Sequence, residues 1–315
     1  MKKFINKCQL TDFITQMVCS MKILRYRDEC STYLGVLKDE EVAVINKEDG
    51  TPFGCFIDLV KTACDNGVEL TEFVQGRIEE RGISYSNLYE SIGSSMLLSP
   101  IDPPEVWGCG VTYKRSQLAR EFETKTKGIY DLVYEAERPE IFFKATASRC
   151  VGPNQEICIR GDSRWTVPEA ELAFILDPEE KVVGFTVGND VSARDIEGEN
   201  PLYLPQAKIY RGCCALGPTI VTVDEVGKEP DLEVECRIYR EGELVFRGST
   251  RTSEMKRSIE ELRSYLCRFN PVPAGTVCLT GTGIVPPEDF ALRDGDIVEI
   301  TIEKIGTLRN PVKQL

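Results

Sequence analysis

A chain of 315 residues that is 42% apolar and 28% charged, with 25 Gly and 17 Pro, has the makeup of a globular protein of one large or two smaller domains, and it excludes a collagenous or disordered chain. Its 38 Lys and Arg against 51 Asp and Glu leave a net charge of −13, which repels nucleic acid and an anionic bilayer. No histidine is present, so Ser-His-Asp and Cys-His catalysis, His-ligated zinc and imidazole proton transfer are all excluded, and protons must be carried by Glu, Asp, Lys, Tyr or Cys.

At the start, Lys2, Lys3 and Lys7 mimic the basic opening of a signal peptide, but Gln9, Asp12 and Gln16 interrupt any apolar stretch, so a cytoplasmic protein is expected. No window supplies the roughly 20 apolar residues of a membrane span. Residues 21–26 and 42–45 read as short strands, and 56–66 and 70–81 have helical spacing. Prolines 100, 103 and 104 restrict themselves and their predecessors against helix, which puts a boundary there between a small N-terminal α/β domain (21–100) and a second domain (101–315). Residues 106–111 read as a strand and 114–137 as one or two charged helices ahead of Pro139. Short strands separated by Gly, Pro and Asp turns follow, so the fold class expected is α+β with a β-rich second domain. One helix interrupts them, with Met255, Ile259, Leu262, Leu266 and Phe269 on one face, Thr252 or Ser253 as cap, and Asn270-Pro271 as the stop. Residues 296–302 alternate, marking Val298, Ile300 and Ile302 as the buried face of a strand. The 13 cysteines are odd in number and contain no C-x-x-C pair, which suits reduced thiols, with Cys213-Cys214 as small buried residues.

The chemistry concentrates in residues 166–190, where two apolar runs flank a polar turn containing Pro178. A hairpin whose turn is centred between Glu179 and Glu180 sets Glu169 opposite Asp190, while Glu169 and Glu171, two apart, share a face. Three carboxylates so placed repel one another and call for a hard cation, Mg²⁺ first and Mn²⁺ or Ca²⁺ next. Spacing alone leaves a second reading open, a strand end whose glutamates point at water, since a one-residue slip in register removes the facing Asp. Farther on, Thr280-Gly281-Thr282 sits in a Gly- and Thr-rich loop that lacks the lysine of a phosphate loop and the spacing of a dinucleotide fingerprint, so no nucleotide is expected there.

The runs Pro168-Glu169-Ala170-Glu171-Leu172, 188–195 (GNDVSARD), 295–298 (GDIV) and 305–312 (IGTLRNPV) resemble the fumarylacetoacetate hydrolase family, from about residue 101 to the C-terminus. The resemblance implies that family's β-rich fold, a divalent metal held by Glu169, Glu171 and Asp190, a small 2-keto acid substrate and a homo-oligomer. Hydrolytic members carry N-Y-x-x-H-x-x-E, whose His and Glu activate water; here Ser116 and Ala119 stand in those places, so that hydrolysis is not expected. Residues 101–108, 138–146 and 199–210 are similar to family members that dehydrate sugar acids. This closer likeness implies a hydro-lyase of pentose degradation that converts 2-keto-3-deoxy-D-arabinonate to 2-oxoglutarate semialdehyde through a metal-stabilised enolate. It implies Glu140 and Lys208 as proton carriers, with Lys144, Thr280, Gly281 and Thr282 at the substrate. The alternatives are C–C hydrolysis or decarboxylation of another 2-keto acid on the same scaffold, or a metal-binding module without activity. Because 21–25 resembles the opening of these dehydratases, Met21 is the expected natural start and 1–20 an extension.

Overall fold

The computed structural model describes residues 21–29, 31–90, 96–123 and 128–315; the extension 1–20 lies outside them. In chain order, β1 (Lys22–Arg27), β2 (Thr32–Lys38) and β3 (Glu41–Ile45) form a meander, followed by α1 (Phe56–Asp65), α2 (Leu70–Gln75), β4 (Ile78–Ser84), α3 (Tyr85–Tyr89) and β5 (Met96–Leu98). The remainder opens with β6 (Val106–Gly110), α4 (Lys114–Glu123), α5 (Ile129–Glu135), β7 (Glu140–Ala145), β8 (Cys150–Val151), β9 (Ile157–Ile159) and β10 (Thr166–Val167). It continues through the hairpin β11 (Ala170–Leu176) and β12 (Val182–Asp190), then β13 (Ser192–Ala193), α6 (Arg194–Glu199), α7 (Leu204–Lys208), β14 (Cys214–Thr222) and α8 (Val223–Val226). Last come β15 (Glu233–Arg240), β16 (Glu243–Arg251), α9 (Ile259–Cys267), β17 (Val277–Leu279), β18 (Ile297–Ile302) and β19 (Gly306–Gln314).

Among the described residues the strands form one large sheet in the order β4-β3-β2-β1-β14-β12-β11-β17-β6-β7, a five-stranded sheet β16-β15-β18-β19-β9, and the short pair β10-β13. The α+β expectation therefore holds, with strands dominant. The centre of the large sheet, β11, β12 and β14, is buried on both faces, and β11 shows how. Leu172, Phe174 and Leu176 enter a core shared with Val234, Cys236 and Ile238 of β15 and Val298, Ile300 and Ile302 of β18. Ala173 and Ile175, on the other face, enter a core shared with Ile23, Leu34 and the helical residues Phe56, Leu59 and Phe73. A strand covered on both sides reads as a continuous apolar run, which is why this hairpin stands out in the sequence. No helix among the described residues is long and apolar enough to cross a membrane.

Two sequence expectations need correction. The helical spacing of 70–81 ends at Gln75, because Gly76 caps α2 and 78–84 instead pairs antiparallel with β3 as an edge strand. The helix expected from Met255 begins at Ile259, where Ser258 Oγ accepts from Glu261 N (3.0 Å) and the Glu229 carboxylate accepts from the amides of Ile259 and Glu260. Neither Thr252 nor Ser253, the candidate caps, stands next to the helix start; Thr252 accepts from Leu232 N and donates to Pro230 O, fastening a loop. Met255 bridges Tyr113, and Phe269, at φ 61°, is fully exposed beyond the helix end.

This correction is testable. Leu262→Ala, within the buried stripe, should lower the unfolding free energy by about 2–5 kcal/mol in urea titrations, and Phe269→Ala by no more than about 0.5 kcal/mol. Equal losses would restore the longer helix.

Candidate active site

The hairpin register brings the carboxylates together. Ala170 pairs with Asn189 and Glu171 with Gly188, so the expected alignment holds at the open end, where Asp190 N donates to Glu169 O (3.0 Å). Glu169, Glu171 and Asp190 are all buried, and one carboxylate oxygen from each lies within 4.8 Å of the others. Gly281 (φ 91°) follows Thr280 and turns the chain so that its amide donates to Glu171 Oε2 (2.6 Å). A β-carbon here would strike the Thr112 hydroxyl, so the turn requires glycine on both counts.

Cations converge from three other segments. Lys208, closing the single-turn helix α7, donates from Nζ to Asp190 Oδ2 (2.9 Å), Glu169 Oε1 (3.1 Å) and Ser192 Oγ (2.7 Å). Arg194 at the start of α6 lies 3.3 Å from Glu169 Oε1. Lys144 on β7 is wholly buried, donates to Val191 O (2.9 Å) and Lys208 O (2.7 Å), and stands 2.5 Å from Asp190 Oδ1. Burial opposes its ammonium charge, but the Asp190 carboxylate beside it more than offsets this and raises its pKa above the usual lysine range. Glu171 has the opposite problem: burial, then Asp190 and Glu169, push its carboxyl well above the ordinary value, against the opposing pull of Lys208 and the Gly281 amide.

The donor set fits a hard divalent cation. It offers three clustered carboxylates and no soft ligand.

The cluster opens on a pocket whose walls include Glu140, Phe142, Glu169, Lys208, Gly281 and Thr282. Glu140 begins β7 opposite Gly110, where any larger residue would collide with its carboxylate. Ser116, on α4, also reaches the wall, its hydroxyl donating to Tyr113 O (2.8 Å).

Of the residues expected at the substrate, Gly281 and Thr282 line the pocket, while Thr280 gives both its amide and its hydroxyl to Leu172 O. Lys144 is placed behind Asp190, not on the described pocket wall, because its ammonium is spent on Asp190 and two carbonyls. Sequence reasoning passed over Arg194, Glu197 and Ser192, although the first and last lie within the GNDVSARD run and a charged residue at a strand-to-helix junction beside an acidic site was signal enough.

Residues 105–313 match the model of the fumarylacetoacetate hydrolase C-terminal region. The 2-dehydro-3-deoxy-D-arabinonate dehydratase of Saccharolobus solfataricus is 54% identical over 239 residues, which cover 74% of this chain and 80% of that protein. A probable 2-keto-3-deoxyxylonate dehydratase of Haloferax volcanii is 54% identical over 213 residues, covering 68% of this chain and 73% of its own. Among solved structures, a 2-keto-3-deoxy-D-arabinonate dehydratase complexed with magnesium and 2,5-dioxopentanoate aligns with a TM-score of 0.80 at 43% identity, covering 94% of this chain and 99% of that one. With the motifs, the acidic cluster and these matches in agreement over most of its length, the chain belongs to the fumarylacetoacetate hydrolase family.

Proposed function

We propose that this chain is a hydro-lyase that removes water from 2-keto-3-deoxy-D-arabinonate and yields 2-oxoglutarate semialdehyde, the same compound as 2,5-dioxopentanoate. The observation that carries the reading is the buried Glu169-Glu171-Asp190 cluster opening on a pocket walled by Lys208 and Glu140, in a chain 54% identical to a named dehydratase. Hydrolysis is disfavoured by the same wall. The chain has no histidine to activate water, and Ser116 turns its hydroxyl to a carbonyl.

Glu169, Glu171 and Asp190 would hold the divalent ion, with Mg²⁺ favoured by the magnesium in the related structure. Bound there, the ion supplies Lewis-acid polarisation to the oxygens of a 2-keto acid. The elimination itself needs a proton taken from C3 and a C4 hydroxyl that leaves as water, after which tautomerisation moves the unsaturation to the C5 aldehyde. Lys208 and Glu140 are the titratable groups on the pocket wall assigned to these transfers, and Phe142 beside them limits water. Thr282 offers polar contact to the substrate. The Gly281 amide holds Glu171 in place, and Lys144 fixes Asp190 and the Lys208 backbone. The machinery falls within 101–315, with 21–100 as a smaller N-terminal unit; the reading further includes a homo-oligomer in the cytoplasm, a reducing setting that suits the ten free cysteines among the described residues.

Two outcomes follow. Lys208→Ala and Glu140→Gln should each reduce turnover of 2-keto-3-deoxy-D-arabinonate by about 10²-fold or more, measured by appearance of the semialdehyde. Unchanged turnover in both, or release of pyruvate by the unaltered protein, would transfer the site to a cleavage reaction. Second, protons compete with the ion for the raised Glu171 carboxyl, so Mn²⁺ should bind more weakly as the pH falls through that raised value and more tightly above it. Calorimetric titration across pH checks the sign, and Glu171→Gln should flatten the profile while lowering affinity.

A further inference from the structure

We infer that the Lys208 ammonium is a built-in competitor of the divalent ion, holding the same carboxylate oxygens the ion must take, so that metal loading and the position of this side chain are one linked equilibrium. The inference rests on the metal-site reading above and goes beyond the proton-carrier role assigned to Lys208.

Two ammonium groups divide Asp190 between them. Lys144 stands at Oδ1 and Lys208 donates to Oδ2, and Lys208 also engages Glu169 Oε1. Their surroundings differ. Lys144 is wholly enclosed, and its remaining donors are taken by the carbonyls of Val191 and Lys208, which tie β7 to the end of β12 and to α7. Moving it would uncover two buried carbonyls and a buried charge, a costly change. Lys208 has an exit. It forms part of the pocket wall, its ammonium lies 5.2 Å from the centre of the Phe142 ring, and it also donates to the Ser192 hydroxyl, a group able to donate as well as accept.

A dication and an ammonium cannot both claim Glu169 Oε1 and Asp190 Oδ2 at full strength, because the oxygens supply a limited set of lone pairs and the two cations repel at a few ångströms in a low-dielectric site. Lys144 is therefore the fixed counter-charge of the cluster and Lys208 the exchangeable one. The consequence for the reaction is that the group released from the carboxylates faces the pocket that receives the substrate.

The test is metal affinity, read without turnover. Mn²⁺ binding to chelator-stripped protein, followed by calorimetry or by the electron paramagnetic resonance of free Mn²⁺, should tighten on the order of tenfold or more in Lys208→Gln and should not tighten in Lys208→Arg, which keeps the charge. Thermal unfolding gives a second reading: Mn²⁺ should raise the melting temperature of Lys208→Gln more than that of the unaltered protein. Equal or weaker Mn²⁺ binding by Lys208→Gln, with the unaltered protein binding one ion, would overturn the inference and leave the metal site standing. Failure of the unaltered protein to bind Mn²⁺ would overturn both.

Discussion

Three carboxylates buried at the open end of one hairpin are the constraint around which the catalytic region is organised. Burying like charges a few ångströms apart costs several kcal/mol per ion unless opposite charge and hydrogen bonds are supplied on the spot. Here the supply comes from well-separated parts of the chain: Lys144 from β7, Arg194 from α6, Lys208 from α7, and the Gly281 amide after β17. Glu171 accepts from the Gly281 amide, and burial together with the neighbouring carboxylates pushes its carboxyl upward. The fold thus concentrates negative charge at the open end of one buried hairpin and meets it with groups that no single segment could provide.

Geometry at that point depends on register. The β11-β12 pairing holds its alignment from Ala170 to Ile175 and shifts only at Leu176, next to the turn, where Glu180 adopts φ 60°. The irregularity stays at the closed end, so the pairing that sets Asp190 against Glu169 is undisturbed. A slip of one residue would send Glu169 and Glu171 into the core occupied by Leu172 and Phe174, which makes wrong registers expensive.

The hairpin was legible because its physics is local: two apolar runs, a turn, and a period of two fix which carboxylates meet. The buried alternation of Val298, Ile300 and Ile302 was legible for the same reason. Element ends were less so. Gly76 and Ser258 decide where α2 stops and α9 starts through backbone and capping bonds that apolar spacing does not register. Least legible was Lys144, because nothing local distinguishes a lysine aimed at a substrate from one enclosed behind a carboxylate. Its position follows from Val191, Asp190 and Lys208 arriving around it, a tertiary fact.

The double burial of β11 also bears on how such a scaffold can change its chemistry over time. Each side chain of this strand answers to a core on one face or the other, so the strand that presents the acids has little freedom to vary. Ser116 belongs to a different kind of surface. It sits on α4, outside the sheet, touches the pocket, and is held by one bond to the carbonyl of Tyr113. A new reactive group can be installed at that wall without retuning the charge balance beneath it. The architecture separates a doubly buried electrostatic floor from a wall built partly on a helix outside the sheet, and a change of reaction type has its easiest route through the wall.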